Sequence, residues 1–181
     1  MPTIYYTGKG DDGTTGLLAE GRLGKEDVLV EALGDLDELN STMGIAMAYV
    51  KDEKVSAQLG MIQNDIFILG ANLAAVANTK MQKRQLGDEP VQRLERDIKE
   101  LGEMAPELKE FVLPGGSEAG AHLHLARAVC RRAERKLVAA SRKYAMEKDA
   151  IAYLNRLSSY LFAAARYANA KDGASEAHPT Y

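Results

Sequence analysis

The residues best suited to chemistry lie in one short stretch, where His124, Arg127, Arg131, Arg132, Glu134 and Arg135 follow one another closely. At about 100° per residue of helix, His124, Arg127, Arg131 and Glu134 fall on the side opposite Ala126, Val129, Cys130, Ala133, Leu137 and Ala140, with Arg135 at the margin. Arg127, Arg131 and Arg135 are spaced i, i+4 and i+8, and three guanidinium groups so stacked repel one another unless an anion sits among them. Glu134, three residues beyond Arg131, offsets part of that charge. Every cationic position in the stretch is arginine rather than lysine, which suits bidentate recognition of phosphate or carboxylate. A plain solvent-facing surface would carry the same residue types.

A second segment, Thr7-Gly-Lys-Gly-Asp-Asp-Gly-Thr-Thr-Gly16, is rich in glycine and hydroxyl groups and contains Lys9. Gly8, Gly10 and Gly13 spell G-x-G-x-x-G, but no helix opens at the third glycine and no βαβ unit surrounds it, so a dinucleotide fingerprint is rejected. No G-K-[ST] closes a Walker loop. The physics beneath both motifs survives: glycines let backbone N–H groups converge on an anion, and Thr and Lys add donors. The run Gly34-Asp-Leu-Asp-Glu-Leu-Asn40 places Asp35, Asp37 and Glu38 in mid-helix. These acids suit partnership with arginines elsewhere, either between helices or between subunits. Asn155-Arg156 sits among apolar neighbours Leu154 and Leu157, where an amide can cap a buried network or read a base or ribose edge. His122, His124 and His178 have no ligand-like spacing with acids or with Cys130, and no Ser/His/Asp or Cys/His arrangement points to covalent catalysis.

Helices must position these groups. Leu29, Ala32, Leu36, Leu39, Met43, Ala46 and Val50 predict a first helix from about Glu26; Val55, Leu59, Ile62, Ile66, Leu69, Leu73 and Val76 predict a second. Val91, Leu94, Ile98 and Leu101 predict a shorter third, entered through Asp88-Glu89-Pro90. A breaker-rich loop from Ala105 to Gly116 precedes Ser117, an N-cap candidate for a fourth helix from about Ser117 to Tyr144. Ile151, Leu154, Leu157, Leu161, Ala164, Ala165 and Ala168 mark a fifth, from about Lys148 to Ala170. A short Ile4–Thr7 strand is the one β element expected. The predicted class is all-α, a five-helix bundle over residues 26–171, preceded by a glycine-rich segment at 1–25 and followed by a flexible tail at 172–181.

Composition bounds the function. The 181 residues carry a net charge of −3, 46% hydrophobic and 27% charged residues and a single cysteine. An acidic chain without clustered aromatics argues against nucleic-acid binding, and no apolar run is long enough for a membrane span. One cysteine excludes an intrachain disulfide and fits a cytoplasmic location.

Thr7-Gly-Lys-Gly-Asp-Asp-Gly13, Lys25, Gly34-Asp-Leu-Asp-Glu-Leu-Asn40, Phe111-Val-Leu-Pro-Gly-Gly-Ser117, Arg127, Arg131-Arg-Ala-Glu-Arg135 and Leu154-Asn-Arg156 occur in the order seen in the PduO-type ATP:cob(I)alamin adenosyltransferases. The chain resembles that family from roughly Tyr6 to Arg166. Two positions depart from the family pattern: Gly16-Leu-Leu-Ala-Glu is less polar than the stretch expected after the loop threonines, and Ser159 stands where Asp is common.

The resemblance implies a homotrimer with ATP held between adjacent subunits, and transfer of the 5′-deoxyadenosyl group of ATP to the cobalt of cob(I)alamin, giving adenosylcobalamin and triphosphate. It implies that Thr7, Gly8, Lys9, Gly10, Thr15, Gly16 and Lys25 surround the phosphates. Arg131, Arg132, Ala133, Glu134 and Arg135 complete the nucleotide site, and Asn155 contacts the nucleotide. Asp37 would pair with Arg127 across the subunit boundary, and Phe111 would sit at the lower face of the corrin ring. Mg²⁺ would arrive through the ATP phosphates rather than on a protein metal site. A reductase and an adenosylcobalamin-dependent enzyme are the implied protein partners. The rival reading is a non-catalytic nucleotide-binding bundle that acts as a sensor or cobalamin carrier.

Overall fold

The apolar stripes become five helices because each is long enough to bury a continuous face and most begin at a residue able to cap free N–H groups. The computed structural model describes residues 5–17, 21–76 and 86–180. Within them, β1 (Thr14–Thr15) and β2 (Leu23–Gly24) precede α1 (Val28–Tyr49), α2 (Glu53–Ala74), α3 (Glu89–Met104), α4 (Glu118–Ser141) and α5 (Lys148–Lys171). Asp27 caps α1 by accepting from Leu29 N at 2.9 Å, and Asp52 caps α2 by accepting from Lys54 N and Val55 N, both at 3.0 Å. Ser117 caps α4, accepting from Gly120 N at 3.1 Å, as its position before the apolar run predicts. Pro90 stands in the first turn of α3, where its missing N–H costs nothing.

α1 and α4 run antiparallel, as do α4 and α5. Lys143 on Asp27, Lys136 on Glu31 at 2.5 Å, Arg132 on Asp35 at 2.6 Å and the ring stack of Tyr49 on His122 at 4.6 Å mark the α1–α4 seam from one end to the other. The core side of α4 is mostly small residues, Ala119, Ala126, Cys130, Ala133 and Ala140, interspersed with Leu123, Val129 and Leu137, all buried. Larger side chains from its neighbours, among them Leu29, Leu39, Met43, Tyr153, Leu154 and Leu161, fill the space between helices. Each such side chain contributes about 1.5–3 kcal/mol by leaving water. Cys130 is buried with its thiol on Leu154 O at 3.3 Å, and burial pushes that thiol well above its ordinary range, so it is inert.

At the end where α4 begins, Asn169 of α5 ties the incoming loop down. Its Oδ1 accepts from Ser117 N at 2.9 Å and Ser117 Oγ at 3.2 Å, while Nδ2 donates to Gly115 O at 3.0 Å. This closeness explains two glycines: a Cβ on Gly116 or on Gly120 would lie 2.3 Å or 1.9 Å from Asn169 Oδ1, and Gly116 also adopts a φ of 102°.

The structure adds detail at three points. A two-residue hairpin, pairing Thr14 with Gly24 and Thr15 with Leu23, was not anticipated. Of the expected Ile4–Thr7 strand, Ile4 lies outside the described residues and Tyr5–Thr7 is irregular. Leu18, Ala19 and Glu20, part of the departure from the family pattern, likewise lie outside. The tail, expected to be flexible, makes contacts with the bundle: Glu176 pairs with Arg166 at 3.0 Å, Leu113 N donates to Ala177 O at 2.8 Å, and His178 Nδ1 meets Phe111 O at 2.9 Å. Its small polar composition concealed this because the contacts are made to loop backbone and to one distant arginine.

Asp52 gathers more than its cap: Lys171 Nζ donates to it at 2.5 Å and Tyr167 Oη at 2.9 Å. Lys171 and the Val55 N–H hold this carboxyl well below its ordinary range against the opposing effect of burial. A depressed folded-state pKa gives stability that is complete above the unfolded carboxylate range and is lost as pH falls toward the folded value. Asp52→Asn is therefore expected to lower the melting temperature at pH 7 and to flatten its decline between about pH 5 and pH 2, as thermal unfolding monitored by circular dichroism will show.

Candidate functional site

The arginine-bearing helix divides its charged residues among three directions. Arg131 and Arg135 are exposed, and Arg135 Nη1 donates to Arg131 O at 2.9 Å, so both guanidinium groups remain open to an anion. Glu134 is half-buried and turned toward α5, where its Oε1 accepts from Asn155 Nδ2 at 3.1 Å. Arg132 faces α1 instead: Nε meets Asp35 at 2.6 Å and Nη2 meets Glu38. The mid-helix acids Asp35 and Glu38 are thus one half of a salt bridge between helices of one chain. Ala133 is fully buried and can offer a ligand nothing beyond its backbone.

His124 does not belong to an open polar face. It is 3% exposed, edge-on to Phe162 at 5.9 Å, and neither ring nitrogen has a partner among the described residues. The helical wheel puts it opposite the core stripe, but α4 is flanked on both sides, so its borders are buried too. Burial, reinforced by nearby Arg127, holds its pKa below the ordinary value and keeps the ring neutral. Arg127 also has a buried Nε without a partner among the described residues. Asp37 is exposed on α1 and makes no hydrogen bond or ion pair among them. Beside Asp37 a groove of about 290 Å³ runs between α1 and α2, lined by Leu33, Leu36, Asn40, Ile66 and Phe67. Phe67 is 71% exposed there.

The glycine-rich segment is shaped by Arg22, which sequence reasoning missed because a lone arginine in a polar loop carries no pattern. Its guanidinium donates to Thr14 Oγ1 at 2.6 Å, to Thr14 O at 3.1 Å and to Lys9 O. Asp12 accepts from Thr14 N at 2.9 Å and Thr14 Oγ1 at 2.7 Å, and Lys25 N closes the segment on Gly13 O at 2.9 Å. Lys9 and the backbone from Thr7 to Gly10 are left at the surface, next to Lys25, Thr15 and Gly16. The segment sits at the end where α1 begins and α4 finishes. No hydrogen bond or ion pair joins it to Arg131, Glu134 or Arg135 among the described residues. Arg131 lies twelve residues before Lys143, about 18 Å along the helix axis.

Phe111 crowns the loop between α3 and α4 at the opposite end, with 82% of its surface exposed. Its backbone is nonetheless held by the docked tail. Among the described residues, no three or more His, Cys, Asp or Glu side chains come together in a way that could hold a metal ion. No helix of the described residues is long and apolar enough to cross a membrane.

The sequence matches the family model for cobalamin adenosyltransferases over residues 5–168. The chain belongs to that family. A corrinoid adenosyltransferase from Bacillus subtilis is 45% identical over 172 residues, spanning 93% of this chain and 88% of that protein. The mouse corrinoid adenosyltransferase is 37% identical over 182 residues, 97% of this chain and 76% of that one. A variant PduO-type ATP:corrinoid adenosyltransferase from Lactobacillus reuteri, complexed with cobalamin and ATP, superposes with a TM-score of 0.93 at 34% identity, over 98% of this chain and all of that chain. The family resemblance and the all-α five-helix architecture read from the sequence therefore both hold.

Arg22 gives the adenosyltransferase segment its shape, and its loss removes three hydrogen bonds from a charged donor. Arg22→Ala is expected to accelerate amide hydrogen exchange of residues 8–15 by about tenfold or more while amides of α4 and α5 keep wild-type protection. Deuterium uptake followed by mass spectrometry checks this.

Proposed function

We propose that this member of the cobalamin adenosyltransferase family transfers the 5′-deoxyadenosyl group of ATP to the cobalt of cob(I)alamin, releasing triphosphate. The observation that carries the reading is the near-complete match, in sequence and in fold, to adenosyltransferases that include one complexed with cobalamin and ATP. The chain's own geometry supports it: a donor-rich loop, two open arginines beside a Glu134–Asn155 pair, and an aromatic side chain presented to solvent on a fixed backbone.

Cob(I)alamin is a strong nucleophile, so the reaction needs no general base. The cobalt electron pair forms the bond to C5′, the C5′–O bond breaks, and its electrons leave with triphosphate. Negative charge grows on the leaving oxygen. Arg131, with Arg135, Lys9, Lys25 and the N–H groups of Thr7, Gly8 and Gly10, is suited to meet it; Thr15 and Gly16 border the same surface. One such preorganised contact is worth about 3–4 kcal/mol, or 10²–10³ in rate. Mg²⁺ carried on the ATP phosphates would supply charge neutralisation there. Glu134 organises the arginines and the Asn155 amide, and Arg132 acts by bracing α4 on α1. Phe111, exposed on its loop, would cover the lower corrin face and exclude an axial base, so that a four-coordinate cobalt would be easier to reduce.

The separation of the glycine-rich loop from Arg131 supports a nucleotide site composed between two copies of the chain, in a homotrimer. Asp37, beside an open apolar groove, and Arg127, with its buried Nε, both lack a partner among the described residues and are the pair that such an interface would join. The bundle is read as a cytoplasmic protein, served by a reductase and delivering to an adenosylcobalamin-dependent enzyme.

The test is a spectrophotometric assay with chemically reduced cobalamin and Mg-ATP. Light-sensitive adenosylcobalamin that depends on both protein and ATP supports the reading. ATP binding without product shifts it to a sensor or carrier. Arg131→Ala is expected to lower kcat by about 10²–10³ and Arg156→Ala by less than about tenfold; steady-state kinetics will compare them. Phe111→Ala is expected to slow turnover from cob(II)alamin by about tenfold or more with ATP affinity little changed, measured by coupled reduction assays and calorimetry.

A further inference from the structure

A chain of side chains crosses three helices behind the exposed arginines. Glu95 of α3 accepts from Arg156 Nε at 2.8 Å; Arg156 Nη1 donates to Asn155 Oδ1 at 2.8 Å; Asn155 Nδ2 donates to Glu134 Oε1 at 3.1 Å. Both ends of the Asn155 amide are thereby specified. Turning it over would set its oxygen against a carboxylate and its NH₂ against guanidinium donors. The Arg156–Glu95 pair is half-exposed on both sides, at 43% and 49%. Surface pairs of this kind add little to stability, so folding alone does not account for it.

The lock leaves two valences open side by side. Asn155 Nδ2 keeps a second hydrogen, and Glu134 Oε2 has no partner among the described residues. A donor next to a carboxylate acceptor suits a hydroxyl group, which both accepts and donates. It does not suit a phosphate, which only accepts and would be repelled by Glu134. Resting on the nucleotide-binding role given above to Asn155, we propose that Arg156 is a positioning residue: braced by Glu95, it fixes the Asn155–Glu134 pair to receive a sugar hydroxyl of the nucleotide. The phosphates are left to Arg131, Arg135 and the glycine-rich loop.

The experiment compares ATP with 2′-deoxyATP and 3′-deoxyATP on the intact protein, by calorimetric affinity and by KM and kcat. The wild type is expected to bind one deoxy analogue about tenfold more weakly than ATP. In Arg156→Ala that penalty falls to within about twofold, KM for ATP rises, and the melting temperature stays near wild type. Glu95→Ala, a change confined to the surface of α3, is expected to reduce the penalty in the same direction and serves if Arg156→Ala does not fold. Equal affinity of the wild type for all three nucleotides overturns the hydroxyl assignment; an undiminished penalty in the variants overturns the positioning role. Binding is read without turnover. A wild type that binds and discriminates but forms no adenosylcobalamin therefore counts against the proposed reaction and not against this subsite.

Discussion

The arrangement depends on α4 being narrow on its inner side. Ala126, Cys130, Ala133 and Ala140 let α1 and α5 approach closely, and that approach puts the helix borders within reach of both neighbours. Arg132 then reaches α1 and Glu134 reaches α5, while Arg131 and Arg135, between them on the outer surface, remain exposed. A bulkier inner face would push the flanking helices away, separating Glu134 from Asn155 and Arg132 from its acids. The charged residues are thus sorted by a steric property of the opposite side of the same helix.

The two ends of the bundle are built differently. The glycine-rich segment gathers at the end formed by the start of α1 and the finish of α4, where its shape comes from Arg22 and Asp12 rather than from the core. The Phe111 loop occupies the other end, held by Asn169 and the docked tail.

Helix positions, the Ser117 cap and the core stripes were legible because each follows from local periodicity or from one residue's side chain. Ser117 is the clearest case, its hydroxyl found on Gly120 N as its place before an apolar run implies. The arginine helix was legible as chemistry but not in its allocation. Periodicity says which side of a helix faces the core; it does not say how far neighbours wrap round it. His124 was therefore placed on an open face when it is buried, and Arg132 was grouped with residues from which it turns away. Arg22 and the tail were illegible for a related reason, since their contacts fall on backbone carbonyls and N–H groups, which every sequence possesses.

Phe111 combines an almost fully solvated ring with a main chain clasped by the tail, by His178 at its own carbonyl and by Ala177 two residues on, at Leu113. Ordinarily an exposed aromatic on a proline- and glycine-rich loop would sample many backbone states, and a partner would have to freeze them. Here most of that conformational entropy is surrendered during folding. The solvated ring is what this backbone leaves exposed, so covering it with any apolar surface would bring a hydrophobic gain with little further ordering of the loop.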